Sequence, residues 1–357
     1  MLSTKFAACF RVVFGFLLLF GGTGCISASV PNASAFAPKQ LWVFHSGDYI
    51  RSVPAATTNL VYFGSDDDSL YALDSTTGQP AWSFKTTDNV SSGPVVNGGK
   101  LYFGSWDGNA YALDAAKGTE LWHFSTRGWI TASPVLAGKL LYVPSADGAL
   151  YALSAATGTS QWSFGTGGAL LYSPAVAGNT LLIGSSDHYL YALDAATGAL
   201  KWHHDSGWDV VGTPAASATN AYFTSANRHV YNLKLGNGQL LWDNELDAPS
   251  SGSPILSDKY LYVATEAGTV YALSLNNGRP IWTYSAGADV RSTPGLHAGV
   301  LYFGADNGYL YALSADTGKF LWRYRTLNGI VAAPAFLDGK LYVGSLDRRL
   351  YAFEVGQ

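Results

Sequence analysis

The sequence contains two cysteines, Cys9 and Cys25, and both lie within its first 25 residues. The rest of the chain has no thiol, which excludes a disulfide framework and a cysteine-based metal site there. Charge is scarce too, at 13% of residues, and the formal balance of −4 becomes −6 once Lys5 and Arg11 are set aside. A nucleic-acid partner would require a basic patch, so none is expected. Helical periodicity is missing: no window carries apolar residues at i, i+3, i+4 and i+7 over three turns. There is no Gly-x-Ser-x-Gly elbow and no Gly-x-x-x-x-Gly-Lys loop to support a hydrolase or nucleotide site.

What the sequence does have is a repeat. Tryptophan recurs at 42, 82, 122, 162, 202, 242, 282 and 322, and proline at 54, 94, 134, 174, 214, 254, 294 and 334, without insertion or deletion. Eight copies of a 40-residue period mark a propeller or solenoid array. Each unit holds four short runs rich in β-branched and aromatic residues, separated by Gly, Asp and Asn turn signals, as antiparallel hairpins require. Four strands per unit predict a propeller blade.

With the strands lettered A (VSSGPVV type), B (LYFGS type), C (YALD type) and D (LWxF type), the array opens with a lone D at 40–44 and closes with a lone C at 350–354. The chain is therefore read as all-β, an eight-bladed propeller of four-stranded antiparallel blades, closed by the N-terminal strand pairing with the last blade. Closure removes the unpaired edges that would template aggregation. The prolines are expected to terminate strand A.

Residues 1–24 combine a short basic region, an apolar run and small residues, the order of a secretory signal. Gly22-Thr23-Gly24-Cys25 resembles a bacterial lipobox, with Gly22 where leucine is usual, so lipidation of Cys25 is expected. Plain cleavage near 27–29 or 33–35 is the alternative. Residues 25–39 then form a tether and 40–357 a single domain. An exported protein in the periplasm or at the cell surface is expected, touching membrane through that anchor alone. The residue after Cys25 is not Asp, which points to the outer membrane in a two-membrane bacterium.

The pattern Ala-x-Asp-x-x-x-Gly-x-x-x-Trp appears at Ala72, Asp74, Gly78 and Trp82, again at Ala112, Asp114, Gly118 and Trp122, and at Ala192, Asp194, Gly198 and Trp202. It resembles the tryptophan-docking motif of the pyrroloquinoline-quinone (PQQ) type eight-bladed propellers, over everything after residue 39. Ser154, Ser274 and Ser314 replace the Asp, and the fifth blade has Asn232 and Lys234 instead. The motif is structural: Gly78, Gly118, Gly158, Gly198, Gly238, Gly278 and Gly318 supply a turn conformation other residues resist. Trp42, Trp82, Trp122, Trp162, Trp202, Trp242, Trp282 and Trp322 are placed to wedge between blades, each burying about 150 to 250 Å². At ~25 cal/mol per Å² that is at most roughly 4 to 6 kcal/mol each.

Function is expected where the repeats differ. The D–A loops and B–C turns share one face, the top, and vary far more than the turns of the bottom. Candidate binding residues there are Tyr49, Arg51, Trp106, Trp129, Trp208, Asp209, Glu266, Asp289 and Arg291, with Asp66 to Asp68, His188, Arg228 and Arg348 beside them. Three readings compete. Resemblance to the BamB family of outer-membrane assembly lipoproteins implies a non-catalytic monomeric scaffold for envelope protein partners, without cofactor. Resemblance to the quinoprotein dehydrogenases implies PQQ stacked on a tryptophan and Ca²⁺ held by oxygen ligands such as Glu266, Asp209 or Asp289. That reading lacks a vicinal cysteine pair and a long loop to roof a funnel. The third reading is a glycan or small-ligand site on the aromatics. His203 and His204, adjacent on a strand, are expected to face opposite ways and not to share a metal.

Overall fold

A computed structural model describes residues 38–355. The signal segment, Cys25 and most of the tether lie outside the described residues. Within them are thirty-two strands, from β1 (Lys39–His45) to β32 (Arg349–Glu354), in eight four-stranded antiparallel sheets. Seven sheets are each built from four consecutive strands; blade 1, for instance, is Ala55–Ala56, Leu60–Ser65, Ser69–Asp74 and Pro80–Lys85. The eighth holds β30 (Ala335–Leu337), β31 (Lys340–Ser345) and β32, and β1 completes it. Lys39 lies opposite Glu354, Val43 opposite Tyr351 and His45 opposite Arg349. The expected closure is what the fold shows, with its strand starting one residue earlier, at Lys39.

Strands B and C are buried on both faces, whereas D alternates between exposed and half-buried as an outer edge strand must. The core accordingly lies between blades. Tyr62, Leu70 and Ala72 of blade 1, for example, pack with Leu101, Phe103 and Tyr111 of blade 2. Six of the eight D-strand tryptophans bond the next blade through Nε1, as Trp82 donates to the Ala115 carbonyl at 3.2 Å and Trp202 to Leu235 at 2.8 Å, whereas the buried Trp162 Nε1 has no partner among the described residues. Trp42 makes the same bond to Ser75 across the closure. Gly118, at φ +69, lies flat against this arrangement, and a Cβ there would come within 2.5 Å of the Trp82 ring.

The prolines do not end strand A. In seven blades the recorded strand begins just after the proline, and Pro214 sits inside the bulged strand Val210–Ala216. Proline has no N–H to give the ladder, so regular pairing starts beyond it. Ahead of it a serine substitutes for the backbone: Ser52 Oγ donates to the Gly64 carbonyl and accepts from the Gly64 N–H, both at 2.8 Å. Ser292 and Gly304 repeat the device. His203 packs on Tyr189 within its own blade and His204 on Phe223 of the next, so the two do point apart.

Candidate binding face

The top face is rigid because each B–C turn is stitched to the D–A loop preceding it. Backbone bonds of 2.9 Å join Asp66 to Tyr49, Trp106 to Asn89, Ala226 to Asp209, Glu266 to Pro249 and Asp306 to Asp289. A carboxylate adds a second stitch. Asp67 accepts from the Tyr71 hydroxyl at 2.8 Å and the Gly47 N–H at 2.7 Å, and Asp147 from Tyr151 at 2.8 Å and Arg127 N–H at 3.0 Å. Asp187 and Asp347 do the same. Burial would raise the Asp147 carboxyl, but its hydrogen bonds outweigh this and hold it below the ordinary aspartate value. The Tyr71 phenol is pushed up to about 12, by burial first and by Asp67 second. Where blade 6 has Ala267 at this position, the carboxylate comes from the loop instead: Asp247 accepts from the Thr265 hydroxyl at 2.7 Å. Sequence reasoning missed this clamp, although an Asp-x-x-x-Tyr spacing in five copies signals it.

Upon that frame the candidate residues form separate groups rather than one site. In blade 1, Arg51 lies 5.2 Å from the Tyr49 ring centre and bonds Asp66 at 2.6 Å, while Ser91 takes the other Asp66 oxygen at 3.0 Å. The run Asp66 to Asp68 is thus divided among Arg51, the clamp and Lys85. Trp106 and Trp129 meet at 5.5 Å between ring centres, tilted by 38°, and are 36% and 50% exposed. Arg291 is held by Asp306 through two bonds of 2.7 and 3.1 Å.

A third group spans blades 5 to 7. Trp208, 62% exposed, floors an open cavity of about 320 Å³ with Ala226, Asn227, Arg228 and Pro249, and Arg228 pairs with Glu245. Beside it, among the described residues the Asp209 side chain has only His188, at 3.7 Å, and that of Glu266 only the Ser251 hydroxyl. Asp289 has no side-chain partner among the described residues. Tyr172 lies in the loop entering blade 4: burial raises its phenol pKa, and the negative charges of Glu266 and Asp209 raise it further. It too was overlooked, though the other seven copies place Ser, Ala or Gly there.

Two further cavities, of about 560 and 650 Å³, adjoin on the bottom of blade 5 and share Thr219 and Asn220. They coincide with the break in the repeat at Asn232 and Lys234, where Asn220 donates to buried Asn232 at 2.9 Å. Most of their polar lining is engaged by its own turns, as Ser217 is by the Thr219 and Asn220 N–H groups.

Quinone and calcium chemistry would need a convergent oxygen-ligand set. Among the described residues no three of His, Cys, Asp and Glu come together to hold a metal ion, and Asp209, Glu266 and Asp289 stand one per blade.

A family model described as outer membrane protein assembly factor BamB matches residues 66–284 and 285–357. No curated protein matches the chain. Among solved structures, BamB from Moraxella catarrhalis has a TM-score of 0.78 at 19% identity, covering 89% of this chain and 100% of that one. The computationally designed Ika8 protein has 0.81 at 17% identity, with coverages of 89% and 100%. Quinohemoprotein alcohol dehydrogenase from Comamonas testosteroni has 0.75 at 17% identity, with coverages of 90% and 77%. At these identities the likeness is one of fold.

Proposed function

Because the chain belongs to the family of the outer membrane protein assembly factor BamB, we propose that it is an exported, non-catalytic propeller scaffold that docks protein partners of the cell envelope on its top face. The observation that carries this reading is the presentation of three exposed tryptophans on clamped loops, Trp106 and Trp129 beside Asp–Tyr pairs and Trp208 where Asn227 bonds Tyr231 and the Ser206 carbonyl. Rigid, half-exposed tryptophan beside arginine is the composition of interface hot spots. The top loops are all of repeat length, so the face is open and shallow, suited to a protein surface rather than to a substrate enclosed from water.

Placement in the outer membrane through a lipidated Cys25 belongs to the same proposal. Site-specific photo-crosslinking from positions 106, 129 and 208 in intact cells tests it. Cross-links to one defined envelope protein from two or more positions are expected. A chain that cross-links nothing from the top face and oxidises alcohols or sugars with PQQ and Ca²⁺ overturns the scaffold reading.

A further inference from the structure

The ends of the propeller differ in charge. Of the ten lysines past residue 37, only Lys85 lies at the top, whereas seventeen of the 25 carboxylates cluster at the top ends of the blades. The top arginines do not balance them: Arg51, Arg228, Arg291 and Arg348 are each paired with one carboxylate, Asp66, Glu245, Asp306 and Asp48, and Arg127, Arg325 and Arg349 are too few to offset the rest. Other top carboxylates also lack a Lys or Arg partner, but Asp67, Asp107, Asp147, Asp187 and Asp347 are taken up by the clamp. Asp209, Glu266 and Asp289, which follow one another in one arc over blades 5, 6 and 7, have neither a clamp role nor a Lys or Arg partner among the described residues. At the start of that arc stands the Trp208 cavity, walled by Pro249 and Ala226, which is apolar in character and open to solvent.

We propose that the segment received by this arc is a basic stretch of a partner protein, with an apolar side chain seated over Trp208 and Lys or Arg side chains over Asp209, Glu266 and Asp289. This rests on the scaffold reading and names the chemistry of its partner. The Trp cavity supplies desolvated contact area, and the unpaired carboxylates supply sign selectivity and steering. An acidic segment would face three carboxylates that no Lys or Arg pairs with among the described residues. Aromatic rings next to a surplus of negative charge also suit a guanidinium or ammonium group, which rests on a ring face.

The test uses fluorescence anisotropy with a labelled peptide in which Lys alternates with Leu and Phe, and its counterpart with Glu in place of Lys. The basic peptide is expected to bind at least about tenfold more tightly, and to weaken by about tenfold as salt rises from low to physiological strength. Trp208→Ala and the double variant Glu266→Gln/Asp289→Asn are each expected to weaken it by about tenfold, while Lys100→Glu/Lys139→Glu on the bottom leaves it unchanged. All these positions are exposed or half-buried, and circular dichroism checks that the variants fold. Equal binding of the two peptides, or binding unaffected by the top variants, overturns the inference. If cross-links from position 208 to an envelope protein persist alongside that result, only the basic segment is refuted. If they are missing as well, the scaffold reading falls with it.

Discussion

Substituting Gly118 by alanine tests the lock between blades, and the chain provides its own control. Gly118 sits at φ +69, and a new Cβ would approach Cδ2 and Cε3 of Trp82 to 2.5 Å, well inside contact distance. Gly138 has a similar backbone, φ +60, yet nothing lies within 4 Å of its Cβ position. Alanine in a left-handed conformation costs about 1 to 2 kcal/mol at either site. Only at Gly118 is overpacking added, at about 1 to 3 kcal/mol. Moving Trp82 aside also strains its 3.2 Å bond to Ala115, a net contribution of about 1 kcal/mol. The expected losses are therefore about 1 to 2 kcal/mol for Gly138→Ala and about 3 to 6 kcal/mol for Gly118→Ala. Guanidinium unfolding followed by tryptophan fluorescence reads both, with circular dichroism as a second probe. If Gly118→Ala is no more destabilised than Gly138→Ala, the tryptophan does not lock one blade to the next, and the energetic account of the motif is wrong.

Removing Lys39–His45 takes the fourth strand from the last blade and leaves β32 unpaired, so the ring should lose thermal stability and self-associate through the bare edge, visible by size-exclusion chromatography. Two phenols, half-buried Tyr71 and buried Tyr342, set an alkaline limit. The Tyr71 and Tyr342 values are raised to about 12 from 10.0, so the folded state holds their protons more tightly than the unfolded chain does. Their contribution is full below pH 10 and is lost as the pH rises toward 12; absorbance at 295 nm should show them ionising only with unfolding, and early, reversible ionisation would contradict their burial. Titration with PQQ and Ca²⁺, followed by tryptophan fluorescence and dye-linked oxidation of alcohols and sugars, is expected to give neither saturation nor turnover; saturable binding with turnover would return the dehydrogenase reading to first place.

The architecture was legible because its determinants are local and periodic. Trp82 and Gly118 hold a fixed sequence offset, so the blade count, the strand order and the closing role of the segment containing Trp42 could be counted off the chain. Strand A could not be read so well, since the partner of Gly64 is the Ser52 side chain and only the three-dimensional register shows the ladder starting after Pro54. The candidate face was legible as a list but not as an arrangement. Nothing in the spacing says that Arg51 is consumed by Asp66, or Arg291 by Asp306, while the Asp289 carboxylate has no partner among the described residues. Tyr172 was passed over because it looks like one more aromatic in a sequence that is 14% aromatic; its importance lies in what its equivalents are.

The contrast between a uniform bottom and a variable top has a physical cause. Each bottom C–D turn must receive the tryptophan of the preceding blade, so its glycine, its carbonyl and its length are all fixed by a neighbour, as at Gly78 with Trp42 and Gly118 with Trp82. A top B–C turn answers mainly to its own loop, and a single side chain meets that demand: Asp107 through Tyr111, or Asp247 acting from the other side where Ala267 cannot. The residues on either side of the clamp, such as Asp66, Trp106, Glu266 and Arg228, carry no part of the inter-blade lock. Folding constrains substitution there less than at the docking turns, so the clamp leaves the top face free to vary without loosening the ring.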